Sequence, residues 1–249
     1  MKKFFMGAAM LFSLAATASD GDKTVALTTV YVNKVIQTKD ASSILLNKIT
    51  ELSENPAFKL DTILSQFKKK FETEYALNFP FKLLPEQEII TNEKYKEFKS
   101  AAALDPNSAL GKLTAPLLPE GYKYMTRCSG GFVKDENQDE VKMLQIFPNV
   151  DGVIFISLDY TIVPKFAVGG MGSAGVQATA RIYLVNKQGE RVFDKLIWAM
   201  SKKTVGLIAG VPVMDVEDIL PVCQSATSEL FKEMDEKLPK LLKKIDKRF

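Results

Sequence analysis

Gly170-Met-Gly172-Ser-Ala-Gly175 matches G-x-G-x-x-G letter for letter. That pattern holds a pyrophosphate only when a helix follows and turns its first amides toward the anion. Here Val176-Gln-Ala-Thr-Ala-Arg-Ile-Tyr-Leu-Val follows, which reads as a strand, so the expectation is a hairpin connection and no cofactor. Asp135, Asn137 and Asp139 imitate the start of a calcium loop. Glu140 stands where that loop needs glycine and Ile146 where it needs a bidentate glutamate, so an acidic surface turn is expected and no metal. Ser65-Gln-Phe-Lys68 places an amine one helical turn from a hydroxyl, as in penicillin-interacting enzymes. Its companion signals are missing: Lys203-Thr204 is followed by Val205, and no Ser-Asp-Asn occurs. The chain holds no histidine, which excludes Ser-His-Asp and Cys-His nucleophilic catalysis and His-ligated zinc. Paired carboxylates for hydrolysis stay open, because their spacing exists only in three dimensions.

The two cysteines, Cys128 and Cys223, are too few for a structural zinc site. In an exported chain they form either one disulfide or two buried thiols. Export is expected from the first residues. Lys2-Lys3 is a charged start, Phe4 to Ala16 a short apolar run, and Ala16-Thr17-Ala18 a small-x-small cleavage signal. The expected organisation is a signal peptide over 1–18 and one α/β domain over 19–249, with a candidate insertion around 76–131. No cysteine lies near the cleavage point, so no lipid anchor is expected there. Without Lys2 and Lys3 the basic and acidic residues nearly balance, which argues against nucleic-acid binding.

The elements that must position any site are legible in outline. Val153 to Ile156 is continuously apolar, which suits a central strand; the runs 176–185 and 191–200 alternate more. Glycine-bearing turns separate them, so residues 150–201 read as a three-stranded antiparallel meander. Lys23 to Asn33 is a further strand. Asp40 is a candidate cap for a helix through Ile44, Ile49 and Leu52, and Asn55-Pro56 a second helix start before Leu60, Ile63, Leu64, Phe67 and Phe71. Phe79 to Leu84 reads as an edge strand, Asn92 opens a short helix, Gly121 to Thr126 is a candidate strand, and Glu140 to Phe147 a candidate helix. Ile219, Leu220, Cys223, Ala226, Leu230, Phe231, Met234 and Leu238 form one helical face, which Pro239 should kink or break. The fold class is α/β: a mixed or antiparallel sheet with amphipathic helices largely on one face.

Several of these features carry a resemblance. Thr24-Val-Ala-Leu opens a strand, Asp151-Gly-Val-Ile another, and Leu184-Val-Asn-Lys-Gln-Gly-Glu-Arg-Val closes a hairpin before the last amphipathic helix. This order resembles the α/β domain shared by the curli secretion protein CsgG, the penicillin-binding-protein activator LpoB and the amino-terminal domain of TolB. The resemblance covers residues 23–52 and 140–245. It implies envelope assembly or regulation through protein contacts, without catalysis. Residues 55–131 have no counterpart in it, and no functional residue carries over.

The leading functional expectation is an exported, non-catalytic periplasmic or outer-membrane-associated protein that contacts another envelope protein or the membrane surface. The alternatives are a carrier of an apolar small ligand and a carboxylate-dependent hydrolase. If the meander runs up, down and up, the glycine-rich stretches 166–175 and 205–214 leave the same end of the sheet. Both are apolar and uncharged from Phe166 onward, unlike ordinary solvated loops. Phe166, Met171, Leu207 and Ile208 are the expected anchors of a partner or membrane contact, unless the two stretches pack on each other or under the closing helix.

Overall fold

The computed structural model describes residues 23–38, 42–100, 116–125, 138–243, 245 and 249. The export segment, Asp40, Asp135, Asn137 and Cys128 lie outside the described residues.

The chain opens with β1 (Thr24–Asn33), β2 (Gln37–Thr38), α1 (Ser43–Glu54) and α2 (Asp61–Lys70). A π-helical turn (Phe71–Tyr75) and a 3-10 turn (Ala76–Asn78) extend α2. Short elements follow: β3 (Lys82–Leu83), α3 (Glu86–Ile90), α4 (Glu93–Glu97), β4 (Pro116–Leu117) and α5 (Asp139–Ile146). The second half holds β5 (Gly152–Val168), β6 (Met171–Asn186), β7 (Arg191–Met200), β8 (Val205–Ile208), β9 (Val211–Pro212) and α6 (Val216–Leu242).

These strands share one mixed sheet, running β3-β1-β5-β6-β8-β9, with β7 also on β6. β5 is parallel to β1 and antiparallel to β6, and β6 is antiparallel to β7. The expected meander is therefore present, with β5 at its centre. Val153 to Ile156 is apolar throughout because both faces of β5 are covered there.

The larger core lies under α6. Ile219, Val222, Cys223, Ala226, Leu230, Met234 and Leu238 pack with Ala174, Ala178, Ala180 and Ile182 of β6 and Ile154, Ile156 and Leu158 of β5. Small alanines on β6 leave room for the helix to sit close to the sheet. Each fully buried Leu, Ile or Met contributes about 1.5–3 kcal/mol. A second core covers the opposite face at one end only. Tyr95 of α4, Met143 of α5 and Phe147 pack there on Val153, Phe155, Tyr183 and Val185. Helices therefore lie on both faces, with the large ones on the face of α6.

Three local expectations are corrected. No helix starts at Asn55-Pro56; the Asn55 side chain accepts a hydrogen bond from the Ala57 N–H (2.9 Å), and α2 begins at Asp61. Phe58 and Leu60 in the intervening stretch are buried. Residues 121–125 form no strand, because the Lys123 N–H bonds Tyr95 Oη (3.0 Å) and its carbonyl accepts from Thr29 Oγ1 (2.7 Å). Of the kink or break expected at Pro239, the break does not occur, and α6 runs through to Leu242. Burial of Leu238 and Leu242 on either side outweighs the roughly 3 kcal/mol cost of a helical proline.

Candidate contact site at the paired hairpin tips

Strands β5 and β6 continue past β1 and β2, whose pairing with β5 ends at Ile162, and form an arm. The arm turns at Gly169-Gly170, whose φ values of 59° and 81° are both left-handed. A two-residue turn of that hand matches strand twist, and glycine adopts it without a Cβ clash.

A β-bulge at Lys165 decides which side chains the arm displays. Pro164 pairs with Ala174, but Phe166 pairs with Ser173, so one extra residue enters β5. Even-numbered residues of β5 face α6 up to that point. Beyond it the pattern flips, and Phe166 and Val168 turn to the face opposite α6. Met171, paired with Val168, shares that face.

The other half of the tip comes from the chain after β7. β7 breaks at Ser201 and resumes as β8 along the same edge of β6. Ser201 seals the break: its N–H bonds Val176 O (2.8 Å), its Oγ accepts from the Val176 N–H (3.0 Å) and donates to Lys203 O (2.7 Å). Leu207 then pairs with Gly172, and the chain turns at Ala209 (φ 51°) and Gly210 (φ 80°) into β9. The Gly210 N–H bonds the Gly170 carbonyl (2.6 Å), so the two turns are fastened side by side.

Of the four expected anchors, Phe166, Met171 and Ile208 are exposed, at 64%, 70% and 67%. Leu207 is a correction: at 4% exposure it belongs to the core, because it faces Gly172 on the α6 side. Val168, 66% exposed, joins the group in its place and was missed, since only the bulge turns it outward. The two stretches expected as loops are strands for most of their length. Their small residues hide the alternation.

Beyond Ile162 the strands of the arm themselves carry basic but no acidic side chains. No acidic residue occurs between Asp159 and Glu190, or between Asp194 and Asp215. Lys165 reaches the Ser201 carbonyl (2.6 Å) and lies over Gly175, on the face that carries Met171. Lys202 and Lys203 are exposed at the break, where Lys202 pairs with Glu229 (3.1 Å).

Other candidates are engaged elsewhere. Lys68 binds Glu72 (2.9 Å) and Glu86 (3.0 Å). Burial draws its pKa down, but the hydrogen bonds to both carboxylates outweigh that and raise it, so it is a cation and no base for Ser65. Gly172 and Gly175 of the glycine motif lie within β6, with no helix behind them. Asp139 is buried in the first turn of α5 and accepts from Ser100 Oγ, 2.5 Å away. Glu74 and Asp235 line a cleft of about 140 Å³ with Tyr75 and Pro239, but Lys70 bridges both carboxylates and Tyr75 Oη donates to Asp235 (2.9 Å). That volume is below the roughly 300–1,000 Å³ of small-ligand sites. Asp194 holds Arg181 (2.9 Å) and Arg191 (3.3 Å) on the face opposite α6, where Leu196 and Trp198 are half-exposed. Cys223 is a fully buried thiol whose pKa burial pushes up, which favours the unreactive form. No group of three or more His, Cys, Asp or Glu gathers among the described residues, and none of their helices is long and apolar enough to cross a membrane.

No family model and no curated protein matches the chain. Among the solved structures that align with it are two that span most of it. The hypothetical protein CT253 from Chlamydia trachomatis is 7% identical over 89% of this chain and 98% of its own, with a TM-score of 0.33. The lipoprotein GNA1162 from Neisseria meningitidis is 12% identical over 84% of this chain and 98% of its own, with a TM-score of 0.31. At that similarity neither carries an argument about function. Neither is CsgG, LpoB or TolB, so that resemblance rests on its sequence motifs.

Proposed function

We propose that this is an exported, non-catalytic envelope protein that docks through its hairpin arm. The observation that carries the reading is the exposure of Phe166, Val168, Met171 and Ile208 on one fastened tip. Isolated surface apolar residues are ordinary, but a contiguous group on a projecting element marks a contact surface. The charged start, short apolar run and small-x-small signal over the first 18 residues support export.

The test is to replace Met171 and Ile208 by aspartate, separately and together, and to follow envelope association in cell fractions alongside thermal stability. Loss of association at unchanged stability is the expected result. Retained association in the double variant would overturn the reading. Leu207→Asp serves as the contrasting variant, because its side chain is core and its loss should unfold the arm.

A further inference from the structure

We infer that the surface this arm contacts is an anionic phospholipid bilayer, with the tip entering the interface and lysines meeting the headgroups. The inference rests on the docking reading above and names its occupant. Three observations favour lipid over a protein partner.

The first is the tip's lack of directional groups. From Phe166 to Gly172 and from Val205 to Met214 no side chain carries a hydrogen-bonding group, and only the flanking Ser173 and Thr204 add hydroxyls. A protein interface of standard size makes roughly ten direct hydrogen bonds and favours Tyr, Trp and Arg at its centre. A fluid acyl-chain boundary asks for apolar area alone.

The second is that the two turns pair part of the tip's backbone with each other. Gly210 N–H bonds Gly170 O, and β8 bonds β6 up to Gly172. Taking a tip into an apolar medium is costly when amides and carbonyls go unpaired.

The third is the height of the charges. Lys165 lies over Gly175, four residues from Met171 along β6, which at strand rise is about 13 Å. Interfacial elements bury their apolar face roughly 5–10 Å deep, so that lysine would stand at headgroup level. Lys203 stands at the break in β7–β8, while Lys202 beside it is engaged by Glu229 of α6 (3.1 Å). The acids that follow the arm, Asp215, Glu217 and Asp218, open α6 on the other face of the sheet. A lysine near an anionic surface strengthens binding about five-fold.

The experiment is co-sedimentation of the full mature chain with vesicles of phosphatidylcholine alone, or mixed in equal parts with phosphatidylglycerol, at low and high salt. Binding to the mixed vesicles, weakened by salt and lost in Met171→Asp/Ile208→Asp, is expected. Lys165→Gln/Lys203→Gln should weaken it at least about ten-fold while leaving the fold intact. Trp198, the chain's single tryptophan, lies opposite Thr179, eight residues or roughly 26 Å from Met171 along β6, so its emission should not shift on binding. A blue shift would place the sheet face, not the tip, on the vesicle and overturn the inference. No vesicle binding by the native chain, with envelope association still lost in the aspartate variants, would also overturn it in favour of a protein partner and leave the docking reading standing. Failure of both measurements would remove both.

Discussion

The Gly210 N–H and the Gly170 carbonyl are 2.6 Å apart, and this bond joins two hairpin turns that the chain makes some forty residues apart. It holds β8 against the tip of β6, so Ile208 joins the three exposed apolar side chains, Phe166, Val168 and Met171, that the β5–β6 hairpin already carries.

The bulge in β5 depends on a missing side chain. A Cβ on Gly172 would lie 1.9 Å from the Phe166 carbonyl oxygen, a backbone atom that cannot move aside cheaply. Gly172→Ala is expected to cost about 1–3 kcal/mol in urea unfolding. Gly206→Ala, whose Cβ would meet nothing closer than 3.9 Å, should stay within about 0.5 kcal/mol of the native chain.

Adjacent residues of β8 should separate cleanly. Leu207→Ala empties a core position and should cost about 2–5 kcal/mol. Ile208→Ala removes an exposed side chain and should change stability by no more than about 0.5 kcal/mol. Paired denaturation curves of the two variants check this, and equal losses would contradict the alternation of β8.

Ala209 carries the only left-handed φ outside glycine among the described residues. Its turn continues with Gly210, and the favoured sequence for such a turn is Asn-Gly. Ala209→Asn should therefore raise stability by roughly 0.5–1 kcal/mol, read as a higher urea midpoint at an unchanged slope.

Asp159 sets a pH dependence. Burial raises its carboxyl pKa above the usual 3.8, and hydrogen bonds from Ser157 and Asn33 with the Arg181 charge offset only part of that. The folded chain thus keeps this proton to higher pH than the unfolded one. The contribution to stability is fully present below the unfolded value and is lost as pH rises through the raised folded value. Asp159→Asn removes the titration. Relative to the native chain, the variant should gain stability as pH rises from about 4 to neutrality, measured by urea unfolding at successive pH values.

Much of the fold was readable from the order of the residues. The unbroken apolar run Val153–Ile156 marked a strand with both faces covered, and the stripe from Ile219 to Leu238 marked the helix that covers one of them. Periodicity reports such features because each repeats a local geometry over many residues. The absence of histidine and the strand after Gly175 likewise narrow the chemistry from residue types alone. Periodicity could not report the bulge at Lys165, because one inserted residue flips every later side chain while the letters of the sequence stay the same. Glycine and alanine also concealed that β8 continues the edge begun by β7. Leu207 and Ile208 are neighbours of equal hydrophobicity. Only the pairing of Leu207 with Gly172 sends one into the core and leaves the other in solvent, because register across strands, unlike residue type, is fixed by contacts between distant parts of the chain.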